Sequence, residues 1–134
     1  MYKVKPIRTK EEQERICLLC DTEYDADELA YAAVEEDGTV LGVCRFALKG
    51  DEGIMYELKN APGIDDFEPV YIMGRATLSF IDLCGIKKAR FAGKDTPLVR
   101  AVGFKPDENG VLTLDLTGFF EHKCHGQDSE LGQA

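Results

Sequence analysis

The segment Tyr71-Ile72-Met73-Gly74-Arg75-Ala76 lies at the start of the longest helix that the sequence predicts. Backbone N–H groups at a helix N-terminus are unpaired and carry the positive end of the helix dipole. The small residues Gly74 and Ala76 would let an anion, such as a pyrophosphate, approach those groups. Helices also begin with small residues for packing reasons, so the segment alone leaves both interpretations open.

Hydrophobic periodicity on either side of this segment predicts alternating strands and helices. The predicted strands cover residues 2–7, 29–34, 40–48, 54–59, 86–92 and 111–116, and the predicted helices cover 10–20, 70–84 and 97–102. Thr9 with Glu12, and Thr96 before Pro97, are typical of helix starts. The order predicts an α+β fold, with a mixed, mostly antiparallel sheet of about six strands and helices on both faces.

Length and composition indicate one globular domain over residues 1–120, followed by a polar tail over 121–134. The chain has 134 residues, of which 44% are hydrophobic and 31% charged. No apolar run approaches the roughly 18 residues of a membrane span, so we expect no membrane association. Five cysteines, an odd number in such a chain, favour a reducing cytoplasm.

The charges of the chain are unevenly distributed. Sixteen Lys and Arg oppose 25 Asp and Glu, a net charge of −9 that argues against general nucleic-acid binding. Residues 16–44 contain no Lys or Arg, whereas residues 87–105 contain six cations and one acid, Asp95. These segments are either two solvated faces or separate sites for a cationic and an anionic ligand.

The element order and three segments resemble the GNAT superfamily of acyl-CoA-dependent N-acetyltransferases, with this chain as a divergent member. Tyr71-x-x-Gly74-x-Ala76 is similar to the family's Q/R-x-x-G-x-G/A loop. Residues 36–42 are similar to its hairpin between the second and third strands. Residues 98–104, ending in Val102-Gly103-Phe104, are similar to the end of its last helix.

The resemblance implies transfer of an acetyl group from acetyl-CoA to a small-molecule or peptide amine. It places acetyl-CoA in a splay between the fourth and fifth strands, with the pyrophosphate on the backbone amides of residues 73–76. The implied cofactor-binding residues are Leu58, Tyr71, Ile72, Met73, Gly74, Arg75, Ala76 and Arg100. A homodimer is compatible with this fold, but the sequence does not determine one.

Attack of an amine on a thioester needs a base that keeps the amine neutral. Glu57, on the fourth strand beside the implied acyl site, is the candidate base, and the alternative is a strand residue that faces solvent. Val99 occupies the position where many family members carry a tyrosine that acts as general acid to the leaving thiolate. Tyr24 or Tyr31 could be the general acid instead. Strand alternation places Tyr56 on the face opposite to Glu57.

Two departures from the family pattern favour an alternative function. Tyr71 stands where the loop usually has Gln or Arg, and the preceding residues 63–69 are acidic, with a proline. Carboxylates that point at a pyrophosphate would weaken its binding. The alternative is therefore a catalytically inactive GNAT-fold module that binds a ligand or a partner.

The cysteines offer a third interpretation. Cys17 and Cys20 lie three residues apart on a predicted helix, where paired cysteines are usually buried in the core. His122, Cys124 and His125 of the tail are suitable donors to join them around zinc. Because the spacing matches no structural zinc signature, we expect no metal.

Overall fold

Seven strands form one sheet in the computed structural model, which describes residues 1–120. The strands are β1 Tyr2–Pro6, β2 Leu29–Glu35, β3 Val40–Lys49, β4 Glu52–Asn60, β5 Lys88–Phe91, β6 Lys105–Pro106 and β7 Leu112–Asp115. The helices are α1 Lys10–Leu19, α2 Phe67–Leu83 and α3 Pro97–Val102. The strand order is β1-β2-β3-β4-β5-β7-β6. All neighbouring strands are antiparallel except β4 and β5. The predicted α+β fold is confirmed, with the two-residue β6 as an additional strand.

The predicted helix starts of α1 and α3 are confirmed by their caps. The Thr9 hydroxyl accepts a hydrogen bond from the Glu12 N–H at 3.1 Å, and the Thr96 hydroxyl accepts one from the Val99 N–H at 3.2 Å. Both bonds satisfy donors that the first helical turn would otherwise leave unpaired. Local sequence therefore determines where these two helices begin.

The helices cover both faces of the sheet, as predicted. On one face, Met73 of α2 and Val102 of α3 join the larger buried cluster with Phe46 of β3. On the other face, Ile16 of α1 packs with Val43 of β3 in a smaller cluster. No helix within residues 1–120 is long and apolar enough to cross a membrane.

The predicted start of the long helix is wrong by three residues. Helix α2 begins at Phe67, whereas the sequence analysis placed its start at position 70, after Pro69. A proline is tolerated in the first helical turn because that turn has no intrahelical acceptor for its N–H. Asn60 supports the earlier start, since its side-chain oxygen accepts a hydrogen bond from the Asp66 N–H at 3.3 Å.

Candidate functional site

Strands β4 and β5 separate halfway along β4. Their parallel pairing runs from Glu52 opposite Lys88 to Met55 opposite Phe91, and it ends with a hydrogen bond from the Ala92 N–H to the Met55 carbonyl at 2.8 Å. Strand β4 continues to Asn60 and pairs there only with β3. The second half of β4 therefore borders the sheet on one side and an opening between strands on the other.

A bulge in β4 lies at the point of separation. Arg45 of β3 pairs with Glu57 and the next residue, Phe46, pairs with Met55, so Tyr56 is an extra residue without a partner. The Arg45 guanidinium lies 5.8 Å from the Tyr56 ring centre, and Arg45 is also the cross-strand partner of Glu57. The bulge thus places Tyr56 and Glu57 as neighbours of Arg45 in the sheet. The placement of Tyr56 on the face opposite to Glu57 stays a prediction.

Arg45 forms a buried ion pair with Glu28, which lies just before β2. One terminal nitrogen of Arg45 donates to both Glu28 carboxylate oxygens, at 3.2 and 3.4 Å. The two side chains are only 8% and 9% exposed, and burial raises the pKa of Glu28 although Arg45 opposes the shift. The Arg45 Nε is buried without a hydrogen-bond partner among residues 1–120.

The acidic loop, residues 21–28, is held against the end of the sheet by hydrogen bonds. Lys10 and Gln13 of α1 donate to the Glu28 carbonyl at 2.6 and 3.2 Å. Lys59 of β4 donates to the Asp21 carbonyl at 3.3 Å. The Thr22 hydroxyl donates to the Glu57 carboxylate at 3.4 Å. The loop carries four exposed carboxylates, on Asp21, Glu23, Asp25 and Asp27.

The residues predicted to hold a pyrophosphate lie in the interior of α2. Because the helix begins at Phe67, the N–H groups of residues 73–76 are directed at carbonyls four residues earlier. A Cβ atom at Gly74 would lie 2.9 Å from Leu58 Cδ2 and 2.9 Å from Val102 Cγ2. Gly74 thus allows α2 to pack closely on β4 and α3. Assignment of the segment to a cofactor stays a prediction.

The other predicted cofactor residues have partners within the protein. Arg75 donates to the Tyr71 hydroxyl at 2.8 Å, and its guanidinium lies 4.9 and 5.6 Å from the ring centres of Phe119 and Phe120. Arg100 forms two hydrogen bonds with Asp95, at 2.8 and 2.7 Å. Arg100 is thus ion-paired, whereas the Arg75 Nε is buried without a hydrogen-bond partner among residues 1–120.

Leu58 and Ile72 lie in different parts of the structure. Leu58 is buried under α2, whereas Ile72 is 42% exposed and lines a surface cleft with Tyr2 and Val4 of β1. Strands β2 and β3 lie between that cleft and β4. The structure therefore separates Ile72 from the opening beside Leu58.

The candidate acids differ in their surroundings. Tyr31 packs between Phe46 and Phe80, with ring centres 6.0 and 6.4 Å away, and burial raises its pKa. Tyr24 belongs to the acidic loop and lies near Glu14 and Cys17 of α1. Val99 is buried in the core. Of the two tyrosines, only Tyr24 shares a segment with Thr22, the partner of Glu57.

No group of three or more His, Cys, Asp or Glu in residues 1–120 has a geometry that could hold a metal ion. Cys17 and Cys20 are fully buried, and burial raises the pKa of Cys20 to about 11. His122, Cys124 and His125 lie outside the described residues. Cys84, directly after α2, is exposed.

The Arg45–Glu28 pair and the bulge at Tyr56 were not predicted from the sequence. Arg45 did give a signal, because it is the single charged residue of the apolar run 40–48. A charge in a buried strand is retained only with a partner. The identity of that partner depends on how the loop before β2 folds back, which no local pattern shows.

No protein-family model matches the sequence, and no curated protein matches it. Solved structures, however, match nearly the whole chain. The IAA acetyltransferase from Bacillus cereus is 15% identical, with a TM-score of 0.68, over 87% of this chain and 100% of that one. A dodecameric spermidine N-acetyltransferase from Vibrio cholerae is 9% identical, with a TM-score of 0.68, over 92% and 98% of the two chains. A Bacillus subtilis acetyltransferase in complex with CoA is 14% identical, with a TM-score of 0.65, over 87% and 99%. At these identities the likeness establishes a shared fold.

Proposed function

We propose that this chain, which has the fold of the GNAT acetyltransferases, transfers an acetyl group from acetyl-CoA to an amine. The predicted resemblance to that superfamily is confirmed at the level of the fold. The observation that carries the proposed activity is the opening between β4 and β5, with Glu57 directly after the bulge at its edge. A likeness to a structure that contains CoA supports the choice of acyl donor.

The opening offers backbone groups of β4 to the amide-containing arm of acetyl-CoA. From Tyr56 to Asn60, the side of β4 that faces away from β3 has no strand partner within residues 1–120. An extended amide-containing arm, such as that of CoA, can hydrogen-bond to such an edge as an added strand would. The thioester carbonyl would then lie beside the bulge, within reach of the residue that follows it.

In the proposed reaction, the amine nitrogen attacks the thioester carbonyl carbon. A bond from nitrogen to carbon forms, the carbon–sulfur bond breaks, and the sulfur leaves as the thiolate of CoA. Glu57 accepts the proton that the amine gives up, and Thr22 orients the carboxylate through its hydroxyl. Tyr24 is the candidate donor of the proton that the thiolate takes up.

The acidic loop supports a cationic acceptor. The loop carries four exposed carboxylates and is bonded to Glu57 through Thr22, and a field of that sign attracts amines in the protonated state. A spermidine N-acetyltransferase among the similar structures acts on such an amine. That protein is dodecameric, and an oligomeric state for this chain stays a prediction.

One observation favours the second candidate, a ligand- or partner-binding module without turnover. Helix α2 starts at Phe67, and its first turn presents Asp66 and Glu68 together with Pro69, which has no N–H. Acidic side chains and a missing donor both disfavour a phosphate at this end. Acetyl-CoA would then be bound mainly through its arm along β4, and its phosphates would contribute less to the binding free energy.

Release of free CoA thiol from acetyl-CoA, with spermidine as the probe amine, tests the proposal. We expect turnover by the wild type and a fall of about 100-fold or more for Glu57→Gln, since a general base contributes roughly 10²–10⁴. Glu52→Gln is the matched control, because Glu52 lies on the same strand in an ion pair with Arg90. Acetyl-CoA binding by calorimetry without any thiol release would instead support the binding module.

A further inference from the structure

We propose that Glu28 is a positioning residue that keeps the Glu57 carboxylate available by holding the Arg45 guanidinium away from it. This inference rests on the proposed function, because it gives Glu57 its role as the base. Glu28 itself would touch neither acetyl-CoA nor the amine. Its effect would pass through Arg45 alone.

The register of the sheet makes Arg45 and Glu57 direct neighbours. They are paired across β3 and β4, where Cβ atoms lie about 4.5–5.5 Å apart. A guanidinium and a carboxylate at such positions normally pair with each other. Here Arg45 donates to Glu28 instead, at 3.2 and 3.4 Å, and Glu57 accepts a long bond of 3.4 Å from Thr22.

Burial makes the choice of partner for Arg45 consequential. The Arg45 side chain is 8% exposed, and its Nε has no partner among residues 1–120. Removal of the carboxylate partner of a buried guanidinium strongly destabilises the folded protein unless the guanidinium pairs with another carboxylate. If the charge of Glu28 were removed, Glu57, the direct cross-strand neighbour of Arg45, would offer it another carboxylate. A carboxylate paired with arginine is a weaker base.

Several other titratable or polar groups lie near Glu57, Arg45 or Glu28. They are Tyr56 of β4, Cys44 and Lys49 of β3, Thr22, Glu23 and Asp25 of the acidic loop, and Cys17 of α1. Lys59 donates to the Asp21 carbonyl. Burial raises the pKa of Cys17, and that of Cys44 to about 12, so both thiols stay neutral. Arg45 is therefore the cation whose partner can change.

The test follows the carboxyl carbon of Glu57 by NMR during a pH titration of the full chain, with the signal assigned through Glu57→Gln. In Glu28→Gln we expect the titration midpoint to fall by about one pH unit or more, because Arg45 moves to Glu57. The double variant Glu28→Gln/Arg45→Gln removes both charges and should return the midpoint toward the wild-type value. Glu52→Gln, which breaks the half-buried pair with Arg90, should leave the Glu57 midpoint unchanged.

Activity supplies the second readout. The acidic limb of the pH profile of kcat/KM, with acetyl-CoA and spermidine, should move to lower pH in Glu28→Gln, and the maximum should fall about tenfold or more. Circular dichroism checks that each variant is folded. An unmoved midpoint in folded Glu28→Gln, or the same fall in the double variant, overturns the inference. A moved midpoint without any wild-type turnover confirms the exchange of partners and refutes its catalytic role together with the proposed function.

Discussion

The packing role of Gly74 makes a quantitative prediction. In Gly74→Ala, the new Cβ would lie 2.9 Å from both Leu58 Cδ2 and Val102 Cγ2, and 3.3 Å from Val102 Cγ1. Carbon atoms prefer about 3.5–4.0 Å, so neighbours must retreat by roughly 0.6 Å or more. Overpacking of this kind costs about 1–3 kcal/mol, and alanine regains about 1 kcal/mol of helix propensity. We expect a net destabilisation of about 1 kcal/mol.

Val102→Ala provides the matched background for this experiment. It removes both Val102 atoms that the new Cβ would meet and leaves only Leu58 Cδ2, the end of a flexible side chain. Gly74→Ala should therefore change sign there and stabilise the protein by about 0.5–1 kcal/mol. The four proteins of the cycle are compared by urea unfolding, followed by far-ultraviolet circular dichroism.

The sign of the change is the decisive result. Equal destabilisation by Gly74→Ala in both backgrounds would refute the packing argument. Stabilisation by about 1 kcal/mol in both backgrounds, with weaker binding of acetyl-CoA, would show that Gly74 leaves room for a phosphate instead. The experiment thus separates the two interpretations that the sequence left open for this segment.

Two further predictions concern titratable side chains. The Tyr2 hydroxyl donates to Glu68 at 2.8 Å, and its pKa is raised to about 12, with burial as the main cause. The unfolded tyrosine ionises near its ordinary pKa of 10.0, so between pH 10 and 12 only the unfolded state loses this proton and the folded state loses stability. The urea concentration at the unfolding midpoint should therefore decrease as the pH rises from 10 to 12, and Tyr2→Phe should lack that part of the decrease. An identical pH dependence in both proteins would contradict this assignment. Exposed Cys84 should react with a thiol reagent at pH 8 in the native protein, whereas buried Cys44, with a pKa of about 12, should react only after unfolding. Peptide mass mapping checks both thiols, and fast labelling of Cys44 would contradict its burial.

Much of the fold is predictable because its determinants are local. The caps at Thr9 and Thr96 satisfy N–H groups three residues away, and alternation of apolar residues identifies most strands. The long helix shows where this reasoning stops. Pro69 is compatible with a loop or with a first helical turn, and the hydrogen bond from Asp66 to Asn60 decides between them. β6 has only two residues and depends on pairing with β7.

The candidate site was only partly predictable. Glu57 was proposed from its strand and from a family resemblance, and the structure places it next to the separation of β4 and β5. The bulge at Tyr56 could not be foreseen, because it is a mismatch of register between two strands. The segment around Gly74 was interpreted from a predicted helix start at position 70, whereas α2 begins three residues earlier, at Phe67.

The sequence by itself determined the α+β class, the order of the elements, the helix caps and the separation of acidic from basic segments. Each of these depends on residues within a few positions of one another, where propensity and periodicity act directly. The tertiary structure alone decided that Arg45 pairs with Glu28, that α2 packs closely on β4 and α3 at Gly74, and that β4 continues beyond its pairing with β5. Those outcomes depend on which distant groups meet, and buried charges and close contacts choose their partners only once the chain has folded.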